Sequence, residues 1–438
     1  MYLHDPAHSS LNSAESRISP KNVRRLGQNW TLSLGTGLAS GVTVVHGVLY
    51  FGDWDGDLYA LRASDGSILW QRWLGRAADP EFPECQPAIG ITSQPVVAGD
   101  TVYAGGGDSA FYALDRTSGN ILWRVPLADP ASGSYLWSSI TLWRNSLYIG
   151  VASLGDCPLV RGALVRIDLA NPANSVFRYL VPEDTTGAGI WSTPAIDETT
   201  GTVFVTTGTG EQAADAGVWG GALMALDATT LDTKAYFFLP TNSTEDDIEW
   251  GSSPTIFQAP DGSRLIAATG KDGILYVLSG DDLSLRWAAK LAYQCNCPEC
   301  GCGSLSTPAF DGKYLYVGAG NPAQDDISIN GSVYAMDPSN GQTVWMQPLI
   351  GTVTAPLTVA NGVVFASTTV GAVAFDAHAG TYLWDDAAYG VLYSQPVVVD
   401  GTLYTTYLNG DVVSWKLTGA NTANRAGASR PLFHGNNH

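Results

Sequence analysis

Phe111-Tyr112-Ala113-Leu114-Asp115-Arg116-Thr117-Ser118-Gly119-Asn120-Ile121-Leu122-Trp123 reads as a strand, a tight turn and a second strand. Aliphatic residues alternate along it, and Ser118-Gly119 supplies the residue that tolerates positive φ. The pattern recurs with its tryptophan at Trp70, Trp287, Trp345 and Trp384. In all five copies the tryptophan stands eight residues after the position of Asp115, filled elsewhere by Arg62, Ser279, Asp337 and Asp376. Two further copies are degenerate, with Phe177 and Tyr236 near the tryptophan position.

A second motif precedes each copy: a hydroxyl residue, a small or polar residue, usually proline, then apolar residues. It stands at Ser93-Gln94-Pro95, Ser192-Thr193-Pro194, Ser252-Ser253-Pro254, Ser306-Thr307-Pro308, Thr354-Ala355-Pro356 and Ser394-Gln395-Pro396, with weaker forms at Ser40-Gly41-Val42 and Ser138-Ser139-Ile140. Eight copies at spacings of 40 to 60 residues match the period of a four-stranded propeller blade with variable loops. The expected fold is therefore all-β: an eight-bladed β-propeller of four-stranded antiparallel blades. The eighth copy ends near Val413-Ser414-Trp415 without a last tryptophan-bearing strand, and a spare one lies at Asn29-Trp30-Thr31-Leu32-Ser33-Leu34. That N-terminal strand around Trp30 is expected to close the ring and remove its exposed edges. Residues 1–27 then read as an arm, 28–417 as the propeller and 418–438 as a tail rich in Gly, Ala, Asn and Ser. The repeated tryptophans are read as blade packing.

Composition agrees. Of 438 residues 45% are apolar, which excludes bulk disorder, and abundant Gly and aromatics suit short strands and tight turns. Forty-one acidic against 22 basic residues give a net charge of −19, which argues against a nucleic-acid partner. No apolar run reaches bilayer length, so no transmembrane segment is expected. Met1 is followed at once by Tyr2-Leu3-His4-Asp5, with no signal-peptide pattern. Either the chain is cytosolic or a leader was removed; six cysteines fit an oxidising compartment better, so the expected location is periplasmic or extracellular, with the leader absent from this chain.

Repeats of the form Ala-x-Asp-x-x-Thr-Gly-x-x-x-Trp resemble those of the quinoprotein alcohol dehydrogenases, nearest the polyvinyl-alcohol-dehydrogenase-like branch without its haem domain. The resemblance runs from about Trp30 to Leu417. It implies pyrroloquinoline quinone (PQQ) and a metal ion, Ca2+ or a lanthanide, in the central well. It also implies a small alcohol or polyol as substrate and a separate electron acceptor. A bacterial outer-membrane assembly scaffold has similar repeats and binds no quinone, so the alternative is a non-catalytic propeller with a protein partner. A propeller cut from a larger protein is a version of that alternative. Residues must decide the activity.

Ile190-Trp191-Ser192-Thr193-Pro194 resembles the segment that places a tryptophan under the quinone, which implies that role for Trp191. The family's asparagine metal ligand follows a Gly-Thr-Gly; here Gly208-Thr209-Gly210 is followed by Glu211. The catalytic aspartate's counterpart falls in Asp246-Asp247-Ile248-Glu249-Trp250-Gly251, where Glu249 takes the base position and doubles as a metal ligand. Lys271, in Thr269-Gly270-Lys271-Asp272-Gly273, matches the cation that contacts the quinone oxygens. Arg161-Gly162 matches the end of the loop carrying the remaining metal ligand, whose position falls on Cys157 or the adjacent Asp156. The family's vicinal cysteine pair is absent, as is any Cys-x-x-Cys-His, so no c-type haem is expected. An aromatic floor, carboxylates and one cation at the mouth of a well suit a flat anionic ligand with a hard cation. The competing reading has Trp191 pack the well and the charges pair or solvate.

Cys295, Cys297, Cys300 and Cys302 crowd one insertion expected to overhang the well. Two local disulfides are the expectation, with a four-thiolate metal site as the alternative; Cys85 and Cys157 are candidates for a third bridge. Asp53-Trp54-Asp55-Gly56-Asp57 lacks the later glutamate of a calcium loop and reads as a polar turn. No histidine forms a triad or metal constellation, and no hydrolase signature is present.

Overall fold

The structure is a computed structural model of the chain, and it describes residues 2–77, 88–156, 158–241, 247–294, 297–323, 328–387 and 389–419. Eight blades follow one another around an axis, each built on an antiparallel meander, and in the first seven the blade strands run in sequence order from the axis outward. Blade one is Thr43–Val45, Val48–Gly52, Asp57–Arg62 and Ile68–Trp73, from the axis outward. Leu26–Ser33 pairs antiparallel with Asp411–Leu417, outside Thr402–Thr406 and Val397–Val399. Blade eight is thus completed by the strand bearing Trp30, and the ring is closed.

The outer-strand tryptophans staple neighbouring blades by one repeated contact. Trp70 Nε1 donates to Arg116 O (2.9 Å), Trp287 to Pro338 O (3.1 Å), Trp345 to Ala377 O (3.0 Å) and Trp30 to Ala63 O (3.1 Å). Each acceptor lies in the hairpin turn of the adjoining blade. There the indole lies where the side chain of any other residue would project from Gly119, Gly341, Gly380 or Gly66. The turn glycine therefore serves twice, giving the positive φ of the hairpin and an open seat for the ring. Trp123 faces degenerate blade three, whose turn reads Asp168-Leu169-Ala170-Asn171 and offers no such seat.

The hydroxyl–polar–proline motif lines the axis. Its middle residue belongs to a relay between blades. Gln94 N donates to Ser139 Oγ (3.0 Å), Ser139 N to Thr193 Oγ1 (3.1 Å), Thr193 N to Ser253 Oγ (2.8 Å) and Ser253 N to Thr307 Oγ1 (3.1 Å). A backbone donor facing the channel is thereby satisfied by the next blade, the accounting that burial demands. The prolines' carbonyls accept from a threonine of the preceding blade, as Thr43 does to Pro95 O and Thr255 to Pro308 O, both 2.6 Å.

Cys297 and Cys300 are joined by a disulfide, and Cys302 is also disulfide-bonded. The bond uses thiolates that the four-cysteine metal alternative would need. Cys85, Cys157 and Cys295 lie outside the described residues, as do Asp246 and the tail from residue 420. Among the described residues no helix is long and apolar enough to cross a membrane.

Candidate functional site

Residues that enter the inner strands, and loops that leave the second strands, meet at one end of the axis. They surround a cavity of about 650 Å³. Its wall carries Trp191, Thr209, Asp247, Glu249 and Lys271, with Asp156 at the rim.

The local pairing explains why these groups touch. Trp250 and Gly270 form an antiparallel bridge, and Lys271 N donates to Glu249 O (2.9 Å). Glu249 and Lys271 therefore sit side by side although they belong to different loops. Trp250 is 1% exposed and anchors the segment, its Nε1 donating to Gly221 O at 3.0 Å. Gly251 lies so close to Ser304 O that a Cβ would come within 1.9 Å. Only glycine lets the chain pass there.

Lys271 is the hub. Its Nζ lies 2.8 Å from Asp247 Oδ2 and 2.8 Å from Glu249 Oε1, and 5.6 Å from the centre of the Trp191 ring. Trp191 Nε1 also donates to Glu249 Oε1 (2.8 Å), which fixes the tilt of the indole. Thr209 Oγ1 is 3.1 Å from Glu249 Oε2 and 3.2 Å from Asp247 Oδ1, so its single proton serves one carboxylate at a time. Glu249 is nearly sealed, with 4% of its side chain exposed, whereas Asp247 presents 45%. The two carboxylates hold the Lys271 ammonium well above its ordinary pKa, against the opposing effect of burial. Asp156 is exposed as a residue, yet its carboxyl is crowded by protein. That burial, with the charges of Glu249 and Asp247, pushes it up to about 6.

Trp191, Glu249 and Lys271 are thus brought together, with Asp156 electrostatically coupled to them. Glu211 is not. It is exposed and opens a hairpin of Gln212–Ala213 against Val218–Trp219, with its own carbonyl accepting from Gly220 N (2.9 Å). Gly210 packs against Gly220 so closely that a Cβ on Gly220 would come within 2.2 Å of Gly210, and this contact turns the chain away from the well. Arg161 turns to Tyr179, its guanidinium carbon 3.9 Å from the ring centre and its Nε donating to Val181 O. Among the described residues no group of three or more His, Cys, Asp or Glu side chains converges as a preformed metal site. Two participants were missed by sequence reasoning: Thr209, the centre of Gly-Thr-Gly, and Asp247, two residues before Glu249. The Asp-x-Glu spacing was the available signal, because alternate residues of an extended segment share a face.

Comparison with known proteins follows the same lines. A family model for PQQ-type repeats, described as outer membrane protein assembly factor BamB, matches residues 22–234 and 249–423. The chain is 24% identical over 424 residues to the polyvinylalcohol dehydrogenase of a Pseudomonas species, covering 84% of this chain and 64% of that protein. It therefore spans less than two thirds of that relative's length. Among solved structures, the quinohemoprotein alcohol dehydrogenase ADHIIG of Pseudomonas putida HK5 superposes with a TM-score of 0.75 at 18% identity, over 94% of this chain and 79% of that one. A europium-containing methanol dehydrogenase gives 0.79 at 15% identity, over 95% and 97%. At these identities the solved structures speak for the fold alone.

Proposed function

The chain belongs to the family of PQQ-repeat propellers described by that model, and from that premise we propose that it is an exported quinoprotein dehydrogenase. Its substrate is an alcohol or polyol, and its electrons leave to a separate acceptor. The observation that carries this reading is the joined set Trp191–Glu249–Lys271 on the wall of the well.

The residues suit the implied groups. PQQ is flat and anionic; an indole face with an ammonium beside it offers stacking and a counter-charge. Asp156, Asp247 and Glu249 outnumber Lys271, and burial, with the charges of Glu249 and Asp247 added to it, makes Asp156 hold its proton more tightly. A hard cation, calcium or a lanthanide, would offset that excess, held by Glu249 and Asp156 with Asp247 beside them. Glu211, on its exposed hairpin, is left out of this set. The disulfide at Cys297–Cys300 suits an oxidising compartment.

When bound, the quinone supplies the acceptor for the hydride of the alcohol carbon. The chain's own residues do the rest. Trp191, its N–H tied to Glu249, holds one ring face in a set orientation. Lys271 would supply protons for hydrogen bonds to the quinone oxygens, and it pairs with both carboxylates. We place removal of the alcohol proton on the Asp247–Glu249 pair: Glu249, the base expected from sequence, is the pinned member, and Asp247 is the member with open surface. General-base catalysis of this kind contributes about 10²–10⁴-fold.

Titration of calcium-supplemented protein with PQQ, read by tryptophan fluorescence and set beside Trp191→Ala, tests the proposal. Saturable quenching that needs the metal and is lost in the variant supports it. Absence of binding sinks it and leaves a protein-binding scaffold as the better account.

A further inference from the structure

The well has a floor that comes from the other end of the chain. A propeller's axial channel runs between its two faces, and the inner strands turn unpaired amides toward it. Here the segment from Tyr2 to Asn12 lies in that channel. Pro6 O accepts from Ile196 N (2.6 Å), Ala7 O from Ile256 N (2.8 Å), Ser9 O from Phe310 N (2.9 Å) and Ser10 O from Val359 N (2.9 Å). Leu11–Asn12 then pairs parallel with the inner strand Thr358–Ala360, and Asn12 Nδ2 donates to Val398 O (2.7 Å). The segment therefore meets the inner strands of blades four to eight in order.

Burial and strain say that this docking is built, not incidental. Leu3 and His8 are both fully buried; the Leu3 amide donates to Gln395 Oε1 (3.1 Å), and His8 Nδ1 lies 2.9 Å from Pro254 O. Leu3, His4, His8 and Ser10 all have left-handed backbones, with φ of 53°, 78°, 62° and 55°. Such conformations cost non-glycine residues free energy and persist where the surroundings impose them. Further along, Arg17 packs on Gly401 and Pro20 on Gly362, in turns at the end of the blades opposite Trp191. The chain thus leaves the channel by the far face before it becomes the outer strand of blade eight.

At the inner end, Tyr2 lines the same cavity as Trp191, Glu249 and Lys271. It shares that lining with Ser253 and Thr307, two members of the axial relay, and burial pushes its hydroxyl up to about 12, so it stays protonated.

We propose that residues 2–12 are a stopper that closes the axial channel from the face opposite the site, and that Tyr2 is the deepest residue a bound ligand meets. Ligand then enters and leaves only by the mouth. The stopper stands whatever the ligand is; the role of Tyr2 rests on the quinone site proposed above.

Hydrogen exchange of the full chain, followed by mass spectrometry, tests the stopper without any ligand. Peptides covering Ile196, Ile256, Phe310 and Val359 should be protected in the wild type. Leu3→Asp, which puts a charge into the buried seat, should speed their exchange at least tenfold while the hairpin Ala222–Asp227 to Thr233–Phe238 keeps its protection. Leu3→Ala, a milder change, should give a graded version if the aspartate variant does not fold. Fast exchange of those peptides in the wild type, or no response to either variant, overturns the stopper. For Tyr2, the probe is PQQ with calcium: Tyr2→Ala should raise its dissociation rate at least fivefold with exchange at the four inner strands unchanged. An unchanged rate overturns the role of Tyr2 and leaves the stopper. A wild type that binds no PQQ overturns the quinone site and Tyr2's part in it together, and the exchange data then judge the stopper alone.

Discussion

Replacing Lys271 with methionine removes the ammonium and nearly nothing else, because the side chains are close in length. Two contacts at 2.8 Å are lost, one to Glu249 and one to Asp247. At an effective dielectric of about 20, each is worth roughly 6 kcal/mol of gross Coulomb energy. Desolvation of the charges offsets much of that in the native protein, so the gross figure is not the cost. What the variant leaves behind is a carboxylate with 4% of its side chain exposed and no cation, and stripping one partner from a buried pair costs about 3–5 kcal/mol. Asp247, with 45% of its side chain exposed, adds little after solvent screening. For a chain of 438 residues the unfolding entropy is about 0.9 kcal/mol/K, so a loss near 4 kcal/mol lowers Tm by about 4 °C. Differential scanning fluorimetry of metal-free Lys271→Met at pH 8 should read that drop. Glu249→Gln in the same background should restore most of it, because the stranded charge is then gone. A Tm within 1 °C of wild type at pH 8, or a double variant no better than Lys271→Met, would refute the claim that Lys271 holds this cluster together.

Three further outcomes are expected. Asp247→Asn should lower kcat by about 10²-fold or more while PQQ still binds, and Glu249→Gln should do the same at calcium and PQQ concentrations raised to saturation; full turnover in both would remove the proton-accepting role from the pair. His8 is fully buried, and burial lowers it from its ordinary 6.5 to about 4. Its folded pKa is depressed, so the unfolded chain binds the extra proton between those values. Stability is present above pH 6.5 and is lost as pH falls toward 4, by up to about 3 kcal/mol. His8→Asn should flatten that part of the Tm–pH curve, and an unchanged curve would show that the residue is not held neutral in the channel. Finally, Trp345→Ala should cost about 3–5 kcal/mol, more than Trp123→Ala, which loses no bond to a turn carbonyl and vacates no glycine seat; equal Tm losses would contradict the stapling account.

The sequence by itself determined the propeller. Blade number, strand count and the closing strand at Trp30 were all legible, because each is written in a local pattern that repeats. A hairpin turn needs its glycine, an outer strand its tryptophan, and a period near that of one blade needs no tertiary information. The members of the site were partly legible for a related reason: Trp191, Glu249 and Lys271 each stand at a fixed offset from a repeat landmark. Whether they touch was not, since Trp191 and Glu249 are 58 residues apart and meet only because blades four and five are neighbours. Glu211 shows the limit of offset reasoning, as the packing of Gly210 on Gly220 turns it outward. The N-terminal arm shows it most clearly. Residues 2–12 have no periodicity, and their partners are mostly backbone groups, amides of blades four to seven and a carbonyl of blade eight. Such amides carry no residue-specific signal, so only closure of the ring, which gathers the unpaired inner edges around one axis, decides that the arm has a place to dock.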